Sequence, residues 1–234
     1  MTTAAERAQA VSTMFTRIAR RYDLMNSLMT AGRHHTWRRA AARQAVAAPT
    51  GPILDLATGT ADLAIAVRRL DPARDVVGAD FSLGMLSEAG RKLAGLREAR
   101  VSLTAADALR LPFADGAFSA VVSAFLLRNL VDLEAGLREM RRVTRAGGRV
   151  IALDIVRVAI PVWGTVFGLY FHRVVPAIGA VVAGDRQAYT YLPSSVDRFL
   201  TARQLFTAMQ GTGLSDVRSK TFALGTVALH TAIV

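Results

Sequence analysis

The sequence predicts an α/β protein: a doubly wound seven-stranded sheet, covered by helices on both faces, with its last strand antiparallel. Three observations predict it. From residue 52 onward short apolar runs alternate with amphipathic stretches, the pattern of right-handed βαβ crossovers. The chain ends in two consecutive strand candidates joined by a short turn, which calls for a closing hairpin. Hydrophobic residues make up 52% of the 234 positions, ample for one such core and too many for a disordered chain.

In chain order, residues 1–47 read as helix, broken near Thr30-Ala31-Gly32. Strands are expected at Pro52 to Leu56, Val76 to Ala79, Val101 to Ala105, Ala120 to Ala124 and Arg149 to Ile155. Helices are expected at Ala61 to Leu70, Leu83 to Leu96, Leu133 to Val143 and Thr201 to Gln210. The closing hairpin joins Asp216 to Phe222 and Thr226 to Val234 through Leu224-Gly225. Between strand five and the last helix the rhythm breaks. Pro161 to Pro193 is apolar, aromatic and helical in period, and reads as an insertion. The whole of 1–234 reads as one domain, with 1–47 as an N-terminal helical lid and 158–193 as a helical cap.

Composition excludes several classes. With no cysteine there is no disulfide framework, cysteine-ligated metal or cysteine nucleophile. His34, His35 and His172 show no ligand spacing with other candidates, so no metal is expected. No secretory apolar run follows the polar N-terminus. The apolar stretches Val158 to Phe171 and Val174 to Ala183 are shorter than the ~20 residues that span a bilayer. A cytoplasmic protein is expected. The net charge is +11, and Lys92 and Lys220 are the only lysines, so arginine carries the excess. Eight arginines face only Glu6 and Asp23 between Met1 and Gln44. Such a basic arm reads as an ordinary arginine-rich surface, or as attraction to anionic lipid or nucleic acid.

The most informative segment is Ile53-Leu-Asp-Leu-Ala-Thr-Gly-Thr-Ala-Asp62, a buried strand, a tight turn and a helix start. Gly59 lets the backbone turn and approach a ligand. The carboxyl edge of a first parallel strand is where such sheets bind nucleosides. The third glycine of a pyrophosphate-binding G-x-G-x-x-G is missing, which argues for a ligand without phosphates. Asp80, with Phe81 beside it, ends strand two roughly 20 residues on, where an acid bonds ribose hydroxyls. Asp107 ends strand three and can accept from an adenine amino group, or cap the next helix. Asp55 lies close enough to the turn to meet an ammonium group. Acids in this arrangement suit ammonium and sulfonium charges and would repel a pyrophosphate. As a set, Asp55, Gly59, Asp80 and Asp107 resemble the cofactor motifs of class I S-adenosylmethionine-dependent methyltransferases.

Further segments carry a closer resemblance: Met14-Phe-Thr-Arg-Ile-Ala-Arg-Arg-Tyr-Asp-Leu-Met-Asn26, Trp37-Arg-Arg39, Leu111-Pro-Phe113, Leu127-Arg-Asn129, Tyr189-Thr-Tyr-Leu192 and Ala228-Leu-His230. In this order they resemble the ubiquinone/menaquinone biosynthesis C-methyltransferase family over nearly the whole chain. The resemblance implies a Rossmann-like class I methyltransferase sheet, S-adenosyl-L-methionine as cofactor and a polyprenyl hydroquinone as substrate, demethylmenaquinol being the commoner bacterial case. It implies cofactor contacts at Thr60, Asp80, Asp107 and Ala108. Two departures stand out. Ala124-Phe125-Leu126 replaces the usual Ser-Phe-Gly, and Asp154 stands where a glutamate is common.

Methylating a ring carbon needs an electron-rich ring, aligned partners and a proton acceptor. Arg128 and Asn129 follow strand four at the carboxyl edge, suited to stabilising a quinolate oxygen and orienting the ring. The alternative pairs Arg128 with Asp132 or Glu134 and makes Asn129 a cap. Tyr22, with Asp23, is expected on the lid over the cofactor. Asp185, Tyr189 and Tyr191 are expected to close the quinol pocket, with His230 an alternative proton acceptor. The cap would hold the isoprenoid tail, or serve as a homodimer face. The basic arm would then hold the enzyme transiently at the inner face of the membrane. Two other functions remain open: methylation of a small phenolic or polyketide-like product, and a non-catalytic, cofactor-binding place in a quinone-synthesis complex. Nucleic acid is not expected, since no stacking aromatics interleave with the basic arm.

Overall fold

Seven strands pair into one sheet in the computed structural model, which describes residues 4–158, 167–179 and 185–234. β1 (Ile53–Leu56), β2 (Val76–Asp80), β3 (Val101–Ala105), β4 (Phe118–Ala124) and β5 (Thr144–Ile155) run parallel. β6 (Ser215–Phe222) and β7 (Val227–Ile233) form the closing hairpin. The order across the sheet is β3-β2-β1-β4-β5-β7-β6, with β7 antiparallel between β5 and β6. Strand order reverses between β1 and β4, so the crevice of a doubly wound sheet opens at their carboxyl ends. The strands fall where the sequence puts them. β5 begins earlier than expected because Thr144 pairs with Phe118 before an irregularity, after which Arg149 takes up register with Ala120.

Every residue of β1 is buried, as a central parallel strand covered on both faces requires. Its side chains alternate between two cores. Ile53 packs with Ala41 and Ala45 of α3 (Arg33–Val46) and Ala64 of α4 (Asp62–Leu70). Leu54 and Leu56 face Leu137 and Met140 of α6 (Leu133–Val143) and Met209 of the helix Ala202–Gly211. α5 (Leu83–Gly95) joins β2 to β3. Arg74, almost fully buried, donates to the carbonyls of Val46, Ala48, Pro49 and Gly51 at 2.7–3.1 Å. It thereby satisfies the last carbonyl of α3 and three in the loop that leads to β1.

Ahead of the sheet, α1 (Ala4–Ile18) passes through a 3₁₀ turn, Ala19–Arg21, into α2 (Tyr22–Thr30). The expected break follows: Ala31 (φ 48°) and Gly32 (φ 74°) are left-handed, and the Gly32 N–H closes on the Ser27 carbonyl. A third core joins these helices to the insertion, with Met14, Ile18 and Met25 against Phe171, Val175, Tyr189 and Val196. The described part of the insertion is a wide helical turn, Tyr170–Val174, running into Val175–Ile178, then α7 (Arg186–Asp197). Residues 159–166 and 180–184 of the expected cap lie outside the described residues. Among those described, no helix is long and apolar enough to cross a membrane.

Candidate active site

The turn after β1 alternates left-handed backbone at Ala57 (φ 58°), Gly59 (φ 57°) and Ala61 (φ 67°). This winding aims the Gly59 N–H at Asp80 Oδ2 (2.8 Å), while Ser82 N–H donates to Asp80 Oδ1 (2.8 Å). A carboxylate offers about four acceptor positions, so Asp80 keeps lone pairs for a ligand. Burial pushes its carboxyl above the usual range, against the backbone donors that favour the charged form. Asp55 lies beneath the turn. Its Oδ2 accepts from Thr58 Oγ1 (2.7 Å) and the Ala64 N–H (2.9 Å). It is 1% exposed, its Oδ1 has no partner among the described residues, and burial pushes it up to about 7.

A cavity of about 130 Å³ opens above this turn, with Gly59, Asp80, Phe81, Asp107 and Ala108 in its wall. No Arg, Lys or His lines it among the described residues. A pocket whose charged wall residues, among those described, are acids alone fits a sulfonium nucleoside and would disfavour phosphates. The donor set therefore fits S-adenosylmethionine: Asp80 could accept from ribose hydroxyls and Asp107 from an amino group. Asp107 also holds the Leu109 N–H at 2.9 Å, so it is both a turn cap and a wall residue.

A second cavity, about 460 Å³, is apolar and lies between the N-terminal helices and the insertion. The two cavities share Phe15, Tyr22, Phe125 and Asn129. Phe125 is left-handed (φ 67°), which turns the chain after β4 so that its ring stands between them. The Arg38 guanidinium lies 5.3 Å from its ring centre and that of Arg128 5.8 Å. Arg128 lines the apolar cavity with its side chain 5% exposed. Its Nη1 donates to Asp154 Oδ1 (2.6 Å) and to the Phe125 carbonyl (2.8 Å), while Nε is buried with no partner among the described residues. Burial pushes the Asp154 carboxyl up and the guanidinium opposes it. Asn129 Nδ2 donates to the Phe125 carbonyl (3.1 Å), and its Oδ1 accepts from the Tyr191 hydroxyl (3.3 Å). Tyr189 and Tyr191 both line the apolar cavity. The Tyr189 hydroxyl has no partner among the described residues, and burial raises the pKa of both phenols.

Several expected residues sit elsewhere. Asp55 supports the turn from below and does not line the cofactor cavity. The Thr60 hydroxyl faces away from that cavity and donates to Asp23 Oδ1 (2.6 Å). Asp185 does not reach the apolar cavity: it caps α7 through the Ala188 N–H (3.0 Å) and pairs with Arg17 (2.9 Å). His230 is fully buried, with Nε2 at 2.9 Å from the Ala202 carbonyl, outside both cavities. Its strand is covered by the last helix, and burial lowers its pKa. The alternative partners of Arg128 are also engaged elsewhere. Asp132 accepts from the Ala135 N–H, and Glu134 pairs with Arg138. Sequence reasoning missed Phe15 and Phe125 as the shared wall; the signal available was their place beside Tyr22 and Arg128.

The structure gathers His34, His35 and Asp62 so that their ligand atoms lie within 4.8 Å. Both ring nitrogens of His34 are already engaged, by Ser27 and by Arg38, and burial lowers its pKa to about 4. Arg38 (3.3 Å) and Lys92 (2.8 Å) neutralise Asp62, so two cations stand where a metal would. His172 lies apart, paired with Asp197.

The model of the ubiE/COQ5 methyltransferase family matches residues 1–234. This chain belongs to that family. It is an S-adenosylmethionine-dependent methyltransferase. A relative from Deinococcus radiodurans named demethylmenaquinone methyltransferase is 44% identical over 220 residues, covering 94% of this chain and 91% of that protein. A Thermus thermophilus protein of the same name is also 44% identical, covering 93% and 98%. Among solved structures, a Thermotoga maritima S-adenosylmethionine-dependent methyltransferase, described as a possible histamine N-methyltransferase, superposes with a TM-score of 0.64 at 16% identity, covering 94% of this chain and 98% of that one. At that identity the likeness speaks for the fold alone.

Proposed function

We propose that this ubiE/COQ5-family enzyme methylates a ring carbon of a polyprenyl hydroquinone, with demethylmenaquinol as substrate. The observation that carries the reading is the shared wall. An acid-lined cavity and a large apolar cavity meet at Phe15, Tyr22, Phe125 and Asn129, beside a buried arginine whose Nε has no partner among the described residues. The names of the Deinococcus and Thermus relatives point to the same substrate.

S-adenosylmethionine supplies an electrophilic methyl on a sulfonium. Everything else falls to the chain. The apolar cavity takes the ring and the start of the tail, and it excludes water. Arg128 lowers the cost of ionising a ring hydroxyl, whose proton leaves to solvent, and this puts charge onto the adjacent carbon. Once that carbon carries the methyl, its own proton returns to the oxygen and the ring is aromatic again. Arg128 keeps its proton throughout, because a guanidinium does not act as a free base. Asp154 holds Arg128 in register, and Asn129 and Tyr191 fix the ring's edge. Tyr22 closes the junction from the N-terminal side. Leu126 lines the cofactor cavity, and its right-handed backbone (φ −91°) accepts leucine without strain.

The same reading includes transient contact with a membrane surface. Leu24 and Leu28 of α2, together with Leu169 and Val174 of the insertion, are exposed, and α1–α3 carry the arginine excess. The test is methyl transfer from labelled S-adenosylmethionine to demethylmenaquinol and to demethylated ubiquinol precursors, in detergent under reducing conditions, beside Arg128→Ala. Label on a quinol ring carbon, lost in the variant, is the expected result. Intact cofactor binding with no transfer to any quinol overturns the assignment in favour of a phenolic product.

A further inference from the structure

Lys92 stands out in a chain whose positive charge is otherwise almost all arginine. It lies on α5, outside both cavities. Its ammonium meets three oxygens from three elements: Asp23 Oδ2 of α2 (2.5 Å), Asp62 Oδ1 at the start of α4 (2.8 Å) and Thr60 Oγ1 of the cofactor turn (3.2 Å). Thr60 in turn donates to Asp23 Oδ1 (2.6 Å). On the far side Asp62 Oδ2 faces Arg38 of α3 (3.3 Å), and Arg38 bonds His34. The charges balance: Lys92 and Arg38 against Asp23 and Asp62, with His34 neutral.

We propose that Lys92 is a positioning residue that locks the N-terminal helices onto the cofactor turn. It acts through Asp23, whose neighbour Tyr22 lines both cavities. An ammonium is a compact charge with three donors that point apart, and it meets three oxygens arranged around it. A guanidinium presents its donors in one plane and cannot do so. That accounts for a lysine here. Without Lys92, Arg38 alone faces the two carboxylates and pairs with Asp62, so the net negative charge left beside Asp23 pushes α2 off the turn. Tyr22 then leaves the junction, and the cofactor cavity opens to water.

The proposal uses the reading that transfer takes place where the cavities meet, but its first readout needs no quinol. S-adenosylhomocysteine is titrated calorimetrically into the full-length protein and its Lys92→Met, Lys92→Arg and Lys92→Met/Asp23→Asn variants. Kd is expected to rise on the order of ten-fold in Lys92→Met, as 1.4 kcal/mol of lost closure corresponds to ten-fold. Lys92→Arg is expected to remain impaired. The double variant, freed of the like-charge repulsion, is expected to regain a large part of the affinity. With an active quinol assay, KM for the cofactor rises more than kcat falls. Unchanged Kd in Lys92→Met overturns the proposal. So does an affinity loss that follows the melting temperature across the series and is not relieved by Asp23→Asn. A raised Kd in Lys92→Met beside a wild-type protein that transfers to no quinol keeps this proposal and overturns only the quinol reading.

Discussion

The Arg128–Asp154 pair yields the most demanding prediction, because its two partners respond differently to being left alone. The side chains are 5% and 0% exposed, and Asp154 accepts from the Arg128 side chain (2.6 Å), the Arg128 N–H (3.3 Å) and the Ile155 N–H (2.8 Å). Removing one member of such a pair costs about 3–5 kcal/mol, since the other charge stays buried. A guanidinium cannot shed its proton, so Asp154→Ala carries that cost at every accessible pH. The carboxyl left by Arg128→Ala escapes it by taking up a proton. Its folded pKa, already raised by burial, rises further once the guanidinium is gone. A raised carboxyl contributes stability below its unfolded pKa, near 4, and loses it as pH climbs through the folded value. The cost of Arg128→Ala therefore grows with pH, by up to about 1.4 kcal/mol per pH unit, or up to about 3 kcal/mol between pH 5 and 7. Thermal denaturation followed by circular dichroism at pH 5 and 7 measures both variants. Asp154→Ala is expected to lose roughly 6–20 °C in Tm at either pH, at ~2–4 °C per kcal/mol for a chain of this size. Arg128→Ala should approach wild type at pH 5. If Arg128→Ala costs the same at both pH values, or if Asp154→Ala is the milder change at pH 5, the reasoning fails. Both variants should lose methyl transfer regardless of pH.

Three further outcomes are expected. Asp55, held up to about 7 by burial, keeps its proton in the fold where the unfolded chain has lost it, so stability falls as pH rises from about 4 to about 7; Asp55→Asn should flatten that part of the denaturation profile, by at most about 4 kcal/mol. Asn129→Ala removes the link between the Phe125 carbonyl and Tyr191, and kcat should fall on the order of 10²-fold, a much larger change than any in the calorimetric Kd of S-adenosylhomocysteine. Arg74→Ala strips the donor from the Val46, Ala48 and Pro49 carbonyls, while Gly51 keeps the Ser119 hydroxyl, and a scanning-calorimetry Tm should drop by roughly 10 °C, because each buried acceptor left bare costs ~1–3 kcal/mol.

By itself the sequence determined the seven strands, the antiparallel final strand, the break at Ala31-Gly32 and the turn that carries Gly59. It also determined the segments by which the family is recognised. These follow from local rules: two-residue and 3.6-residue periodicity, backbone freedom and capping, all written within a few neighbouring positions. Tertiary structure alone decided which partner each polar side chain took. Asp154 lies 26 residues from Arg128, and Lys92 lies 69 from Asp23. His230 and Asp185 bear the right chemistry for a site, yet packing turns one under the last helix and commits the other to α7 and Arg17. Ala57 and Ala61 take left-handed backbone that their residue type disfavours, because the surrounding turn over-determines it. The difference is one of range. Periodicity fixes which face a residue occupies, while the identity of the charge or hydroxyl opposite depends on how elements far apart in the chain come to rest against one sheet.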